Sequence, residues 1–298
     1  MKILVTGATG YAGPRIAAAL RREGHAVLGL TRDTASRRAL AAAEIRPVVG
    51  DIADPDSYRQ HLEEADAVVH TVLDMNDPAG TDQKLFAELR AAQDRTGRAR
   101  HLIYTTGVSS YGRTGISLMD DDTPGNPDSP LHFRMRLEAE LAACGLPHTV
   151  IRPGFIYGGE ARTSMTSQWF ADGEAGRAVF YGDRTKRWTW VHVDDLAAAY
   201  VAVLAHVEAA DRQVFVVGDD HQPTALDVYT ACLKAAGYTG EITFESAEAG
   251  GMLQVAADQD ELVTSGKARR LLGWRPRRPG VLEDTATYHE AWRAAQSA

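Results

Sequence analysis

A glycine-spaced turn close to the first residue constrains this chain more than any other feature. Lys2–Thr6 is a short apolar run that reads as a strand. Thr6-Gly7-Ala8-Thr9-Gly10-Tyr11-Ala12-Gly13 follows it, and helical periodicity begins at Pro14 and runs to Arg22. The glycines permit a tight turn and let the backbone approach a pyrophosphate. The helix start offers unpaired N–H groups and the positive end of its dipole. The glycine spacing alone is a weak signal, and the strand before it and helix after it supply the context that gives it meaning. Gly7, Thr9, Gly10, Tyr11, Ala12 and Gly13 are therefore candidate cofactor-binding residues.

The pattern continues as a strand–helix alternation. Strands are expected at Ala26–Leu30, Arg46–Val49, Ala67–His70, His101–Thr105 and His148–Ile151. Helical segments fall at Thr34–Ala43, Pro55–His61, Thr81–Thr96 and Leu131–Cys144. Short apolar runs bounded by turn residues suit strands buried on both faces, and this alternation predicts an α/β, Rossmann-type doubly wound parallel sheet. A smaller C-terminal substrate lobe is expected beside it. The dinucleotide domain is assigned residues 1–153, with 189–218 returning to it, and the lobe 154–188 and 219–298. The proline- and aspartate-rich stretch from Gly112 to Pro130 lacks periodicity and is expected to form a lid over the crevice.

The second strand's end bears on which dinucleotide is bound. It reads Thr31-Arg32-Asp33, where an NAD site usually carries a carboxylate for the ribose hydroxyls. A guanidinium matches the geometry of a phosphate, so Arg32, with Arg37 a turn further on, favours NADPH over NADH. Asp33 competes, since it is able to accept from the ribose. Asp51 and Ile52 after the third strand are placed at the adenine, and His70 is grouped with the cofactor-binding residues.

Further motifs carry a family resemblance. Gly50-Asp51-Ile52, Arg152-Pro153-Gly154-Phe155-Ile156-Tyr157-Gly158, Val191-His192-Val193-Asp194-Asp195 and Arg270-Leu271-Leu272-Gly273-Trp274 occur in this order after the glycine turn. With that turn, they make the chain resemble the extended short-chain dehydrogenase/reductases, which include nucleotide-sugar epimerases and dehydratases. The resemblance implies that Pro153, Gly154 and Phe155 lie along the nicotinamide. It also implies a catalytic Tyr-x-x-x-Lys and a serine or threonine, and here the chain departs from the pattern. Counting back from Leu137 and Glu140 places His132 at the tyrosine position and Arg136 at the lysine position. Gly107 falls at the serine position, leaving Thr105, Thr106 and Ser109 as substitutes without a choice between them. An imidazole titrates near neutral pH and would serve as the acid, although a neighbouring guanidinium disfavours its charged form.

Composition narrows the partners. The net charge of −8 argues against nucleic-acid or anionic-membrane binding. The longest apolar run, Leu196–Ala205, is half a bilayer span, and no signal-peptide pattern opens the chain, so a cytoplasmic protein is expected. Cys144 and Cys232 are read as reduced core thiols, and no metal site is expected. Phe155, Tyr157, Trp169, Phe170, Phe180, Tyr181, Trp188 and Trp190 crowd the lobe's first segment, which suits a planar aromatic guest. Arginine far outnumbers lysine, a bias of GC-rich genomes. Together these features are similar to polyketide-tailoring reductases. The expected function is an NADPH-dependent ketoreductase acting on an angucyclinone-like aromatic polyketide in antibiotic biosynthesis. The alternatives are a nucleotide-sugar epimerase or dehydratase, or a non-catalytic NADP-binding sensor. Nothing in the sequence speaks to oligomeric state.

Overall fold

The computed structural model describes residues 1–296 apart from Met75 and Ile116. Its strands are β1 (Lys2–Thr6), β2 (Ala26–Thr31), β3 (Arg46–Val49), β4 (Ala67–His70), β5 (His101–Thr105), β6 (His148–Pro153), β7 (Phe155–Tyr157), β8 (Val179–Tyr181), β9 (Trp190–His192), β10 (Gln213–Val217) and β11 (Thr243–Glu245). The helices are α1 (Ala12–Arg22), α2 (Ser36–Ala42), α3 (Arg59–Glu64), α4 (Pro78–Thr96), α5 (Phe133–Ala143), α6 (Met165–Glu174), α7 (Val193–Ala205), α8 (Val207–Ala210), α9 (Ala225–Ala235), α10 (Met252–Ala257), α11 (Gly266–Leu272) and α12 (Thr285–Gln296).

Seven strands form one parallel sheet in the order β10-β6-β5-β4-β1-β2-β3. Alternation of side chains across β1 gives the sheet two apolar faces. Ile3 and Val5 join Ile16 and Leu20 of α1 and Tyr200 and Val203 of α7 on one face. Leu4 joins Leu85 and Leu89 of α4 and Leu137 and Leu141 of α5 on the other. Both faces are covered, as a parallel sheet requires. The chain order reverses between β1 and β4, and the crevice that reversal creates lies at the strands' carboxyl ends.

A third cluster of packed side chains unites α6, α9 and α12 with the aromatic residues of the lobe. The boundary at residue 219 is less clean than expected. Ala268 and Leu272 of α11, with Trp274, pack into the sheet's own core beside α7, and Trp274 Nε1 donates to the Asp195 carbonyl at 2.8 Å. Their apolar side chains find the face of the sheet that α7 leaves open. Cys144 and Cys232 are both free thiols. Among the described residues no helix is long and apolar enough to cross a membrane, and no cluster of His, Cys, Asp and Glu is arranged to hold a metal.

Candidate active site

A cleft of about 950 Å³ opens at the carboxyl ends of the strands. Its floor is the glycine turn. Gly7 has φ +73°, and Gly10 N donates to the Gly7 carbonyl at 3.0 Å to close the turn. A Cβ at Gly13 would lie 2.0 Å from that same carbonyl, so only glycine lets α1 start this close to β1. No side chain caps α1 and no acidic residue occupies its first turn, so its N–H groups and dipole remain available to an anion. This cradle fits the pyrophosphate of a dinucleotide. Gly7, Thr9, Gly10, Tyr11, Ala12 and Gly13 all line the cleft.

At the far end from the smaller lobe, Thr31, Arg32, Asp51 and Ile52 form the wall. Asp33 is turned away, accepting from Ala35 N at 2.8 Å at the head of α2. Arg37 is exposed on the outer face of α2 and does not reach the cleft, which corrects its assignment as a phosphate ligand. Asp51 Oδ1 accepts from Ala53 N at 2.9 Å. Sequence reasoning missed Asp74 and Asn76, which also line this end. The Asn76 N–H holds the Asp74 carboxyl below its ordinary range, helped by Thr81 and by the charge of Arg32. His70 is likewise corrected. It is buried beneath the wall, with Nδ1 2.8 Å from Thr6 Oγ1 and Nε2 2.9 Å from Asp82 Oδ1.

The opposite end is built from Thr106, Gly107, Ser109, Leu131, Pro153, Gly154, Phe155, Met165 and, from α10, Leu253, Ala256 and Ala257. Neither His132 nor Arg136 lines it. His132 stands at the N-cap of α5 with its Nδ1 unpartnered, and Arg136 is exposed. The reason is helical phase. The buried face of α5 carries Arg134, Leu137, Glu138 and Leu141. A residue two positions from Arg134 lies about 200° round the helix, on the opposite side. Arg134 is the arginine that reaches the sheet. It donates to the Thr105 carbonyl and stands 3.8 Å from Asp82 Oδ2.

The three hydroxyl candidates separate. Thr105 is not in the wall, since its Oγ1 pairs with the Tyr200 hydroxyl at 2.6 Å. Thr106 lines the cleft but donates to Glu138 Oε1 at 2.6 Å. Glu138 in turn accepts from Arg152 Nε at 3.1 Å, and Arg152 donates to the Tyr111 hydroxyl at 2.6 Å. Ser109 lines the cleft, and its carbonyl accepts from Gln259 Nε2 at 3.0 Å. Gly107 faces open space, the nearest atom to a Cβ there being the Pro153 carbonyl at 4.0 Å. The one tyrosine in the wall among the described residues is Tyr11, which donates to the Gly158 carbonyl at 2.7 Å and whose pKa burial pushes up. The expected tyrosine–lysine pair is therefore missing from the site in space as well as in sequence.

Two further expectations change. Of the eight crowded aromatic residues, only Phe155 lines the cleft. Trp188 stacks between Phe155 and Trp169, and Trp190 packs tilted on Phe155 and edge-on to Trp169 as the lobe's core, because large flat side chains bury most area against each other. No described residue from Gly112 to Pro130 lines the cleft either. Asp121 from this stretch accepts from Val216 N, and Met119 bridges to Val263, so the loop is fastened to the sheet's edge. The covering element is instead α10, whose Leu253 lines the cleft while remaining 70% exposed.

Residues 3–218 match the NAD dependent epimerase/dehydratase family. The chain belongs to that family. It is an enzyme of the NAD(P)-dependent oxidoreductase type. It is 26% identical to a UDP-glucose 4-epimerase of Lactobacillus helveticus, over 98% of this chain and 96% of that protein. It is 28% identical to a 3-diazoavenalumate denitrifying reductase of a Streptomyces species, over 94% and 97% respectively. Among solved structures, the UDP-glucose 4-epimerase of Thermotoga maritima with UDP-glucose superposes with a TM-score of 0.83 at 18% identity, covering 99% of this chain and 100% of that one.

Proposed function

We propose that this enzyme transfers hydride between a nicotinamide dinucleotide and a carbon of a small substrate held at the Ser109–Phe155 end of the cleft. One observation carries the reading. A single continuous wall joins the anion cradle of α1 to Thr106, Ser109 and Gly154. The cofactor, when bound, supplies or accepts the hydride. Gly7, Gly10 and Gly13 and the head of α1 hold its pyrophosphate, Asp51 and Ile52 flank the adenine, and Pro153, Gly154 and Phe155 lie along the nicotinamide. The preference is for NADP. Arg32 lines the wall while Asp33 is committed to α2, so a 2′-phosphate meets a guanidinium at this position.

The substrate class we place first is a nucleotide sugar, with epimerase or dehydratase chemistry. Its support is similarity to UDP-glucose 4-epimerases along nearly the whole chain. A second reading is net reduction of an aromatic ketone, down to the angucyclinone-like polyketide expected from the sequence. What favours it is the wall: Phe155, Met165, Leu253, Ala256 and Ala257 are apolar, and Arg32 at the other end is the one cation among the described lining residues. A diphosphate is best held by charge-assisted hydrogen bonds from such cations. Calorimetry with NADP⁺, NADPH, NAD⁺ and NADH tests the common claim, with micromolar uptake expected and uptake of none overturning it. Interconversion of UDP-glucose and UDP-galactose supports the first substrate class. Consumption of NADPH with 5-hydroxy-1-tetralone but with no UDP-sugar supports the second.

A further inference from the structure

The site lacks its family's tyrosine, yet the chemistry moves a proton with every hydride. At the reacting end Thr106 lines the wall but is committed to Glu138, whereas Ser109 lines it on the side of the Glu261 carboxyl. Behind Ser109 lies Glu261, which is 0% exposed. Backbone pairing delivers it there: Glu261 N donates to the Arg187 carbonyl at 2.8 Å, and the Glu261 carbonyl accepts from Thr189 N at 3.0 Å. Gln259 Nε2 ties the two residues together, donating to Glu261 Oε1 at 3.0 Å and to the Ser109 carbonyl at 3.0 Å.

The other carboxylate oxygen, Oε2, is buried without a hydrogen-bond partner among the described residues. Among the described residues no cation pairs with it. The charged side chains on the surrounding segments are committed elsewhere: Lys186 to Asp258 at 3.3 Å, Arg113 to Asp183 at 3.2 Å and Asp260 at 3.8 Å, and Arg152 to Glu138, while Arg187 is exposed. The Gln259 amide that holds Oε1 also holds the Ser109 carbonyl, which sets the neutral Ser109 beside this carboxyl. Burial pushes the carboxyl up to about 7, and those two groups draw it back only in part. A carboxyl of that kind gives and takes protons at neutral pH.

We propose that Ser109 and Glu261 form the proton relay of this enzyme, Ser109 touching the substrate oxygen and Glu261 acting behind it as a positioning and proton-exchanging residue. The proposal rests on the hydride-transfer reading above. In the reductive direction the carbonyl carbon receives two electrons and a hydrogen from the reduced nicotinamide. Its oxygen takes the Ser109 proton, Ser109 takes the proton of Glu261, and once product has left the carboxylate regains a proton from water in the cleft through Ser109. In the oxidative direction each proton runs the other way.

The test compares wild type, Glu261→Gln, Ser109→Ala and Ser109→Thr on NADPH with 5-hydroxy-1-tetralone and on UDP-galactose with NAD⁺. Glu261→Gln and Ser109→Ala are each expected to lower kcat roughly 100-fold, with KM changed less than threefold and Ser109→Thr largely active. Wild-type reduction falls as pH rises through about 7, and Glu261→Gln loses that inflection. Infrared difference spectra supply a readout independent of turnover. A protonated-carboxyl band present at pH 6 and lost at pH 8 is expected in wild type, absent in Glu261→Gln and displaced in Ser109→Ala. Wild-type turnover with Glu261→Gln inside twofold, or a carboxyl band indifferent to Ser109→Ala, overturns the relay and leaves the hydride reading standing. A wild type that neither binds nor turns over a nicotinamide cofactor overturns both.

Discussion

The two ends of the cleft are built by different means. The end proposed for the pyrophosphate is made of backbone: a turn closed by the Gly7 carbonyl and the bare head of α1, all within seven consecutive residues. The reacting end is made of side chains drawn from β5's exit, β7, α6, α10 and the 259–261 segment. A backbone site tolerates change in most neighbours but not in the residues whose conformation defines it. A side-chain site is sensitive to the buried groups that hold each member in place, even when those groups never touch a ligand.

That contrast is sharpened first by Glu138→Ala. It leaves Arg152 buried without its partner behind Thr106 and is expected to cost about 3–5 kcal/mol in chemical denaturation. A loss under 1 kcal/mol would mean that the reacting end does not depend on this pair. Next is Glu261→Gln. Its carboxyl titrates at about 7 in the folded chain and at 4.5 in its reference state. A raised folded pKa favours the fold fully below pH 4.5 and loses that contribution as pH climbs through 7. Removing the charge should therefore stabilise the protein by about 3 kcal/mol at pH 8 and by little at pH 4.5. Thermal unfolding at the two pH values checks the sign.

Gly13→Ala probes the backbone end. Its Cβ must displace the Gly7 carbonyl, at an expected cost of about 1–3 kcal/mol and at least tenfold in dinucleotide affinity by calorimetry. Arg32→Ala is expected to weaken NADPH about tenfold, or ~1.4 kcal/mol, and NADH hardly at all. Equal weakening of both would separate Arg32 from any 2′-phosphate. Smallest of all is Arg136→Ala on the exposed side of α5, where stability and turnover should stay within about 0.5 kcal/mol and twofold.

Much of the sheet was legible because its signals are local. β1, β3, β4 and β5 fall on the expected residues, and β2 and β6 run one and two residues further. The reacting end was less legible. Counting along α5 singled out His132 and Arg136, whereas the helix's phase against the sheet turns Arg134 and Glu138 inward. The aromatic cluster looked like a ligand wall in one dimension and is a packed core in three. Glu261 sits in Asp258-Gln259-Asp260-Glu261, a run that reads as solvated surface, and it gave no sign of burial.

By itself the sequence determined the parallel sheet and the glycine turn at the head of α1, since each follows from periodicity or from conformations open only to glycine over a few adjacent residues. Tertiary structure alone decided which arginine of α5 faces inward, that the Thr106 hydroxyl is committed to Glu138, and that Gln259 meets Ser109 from 150 positions away. Those outcomes depend on how remote segments pack to bury their apolar surface, and no short stretch of chain carries that information.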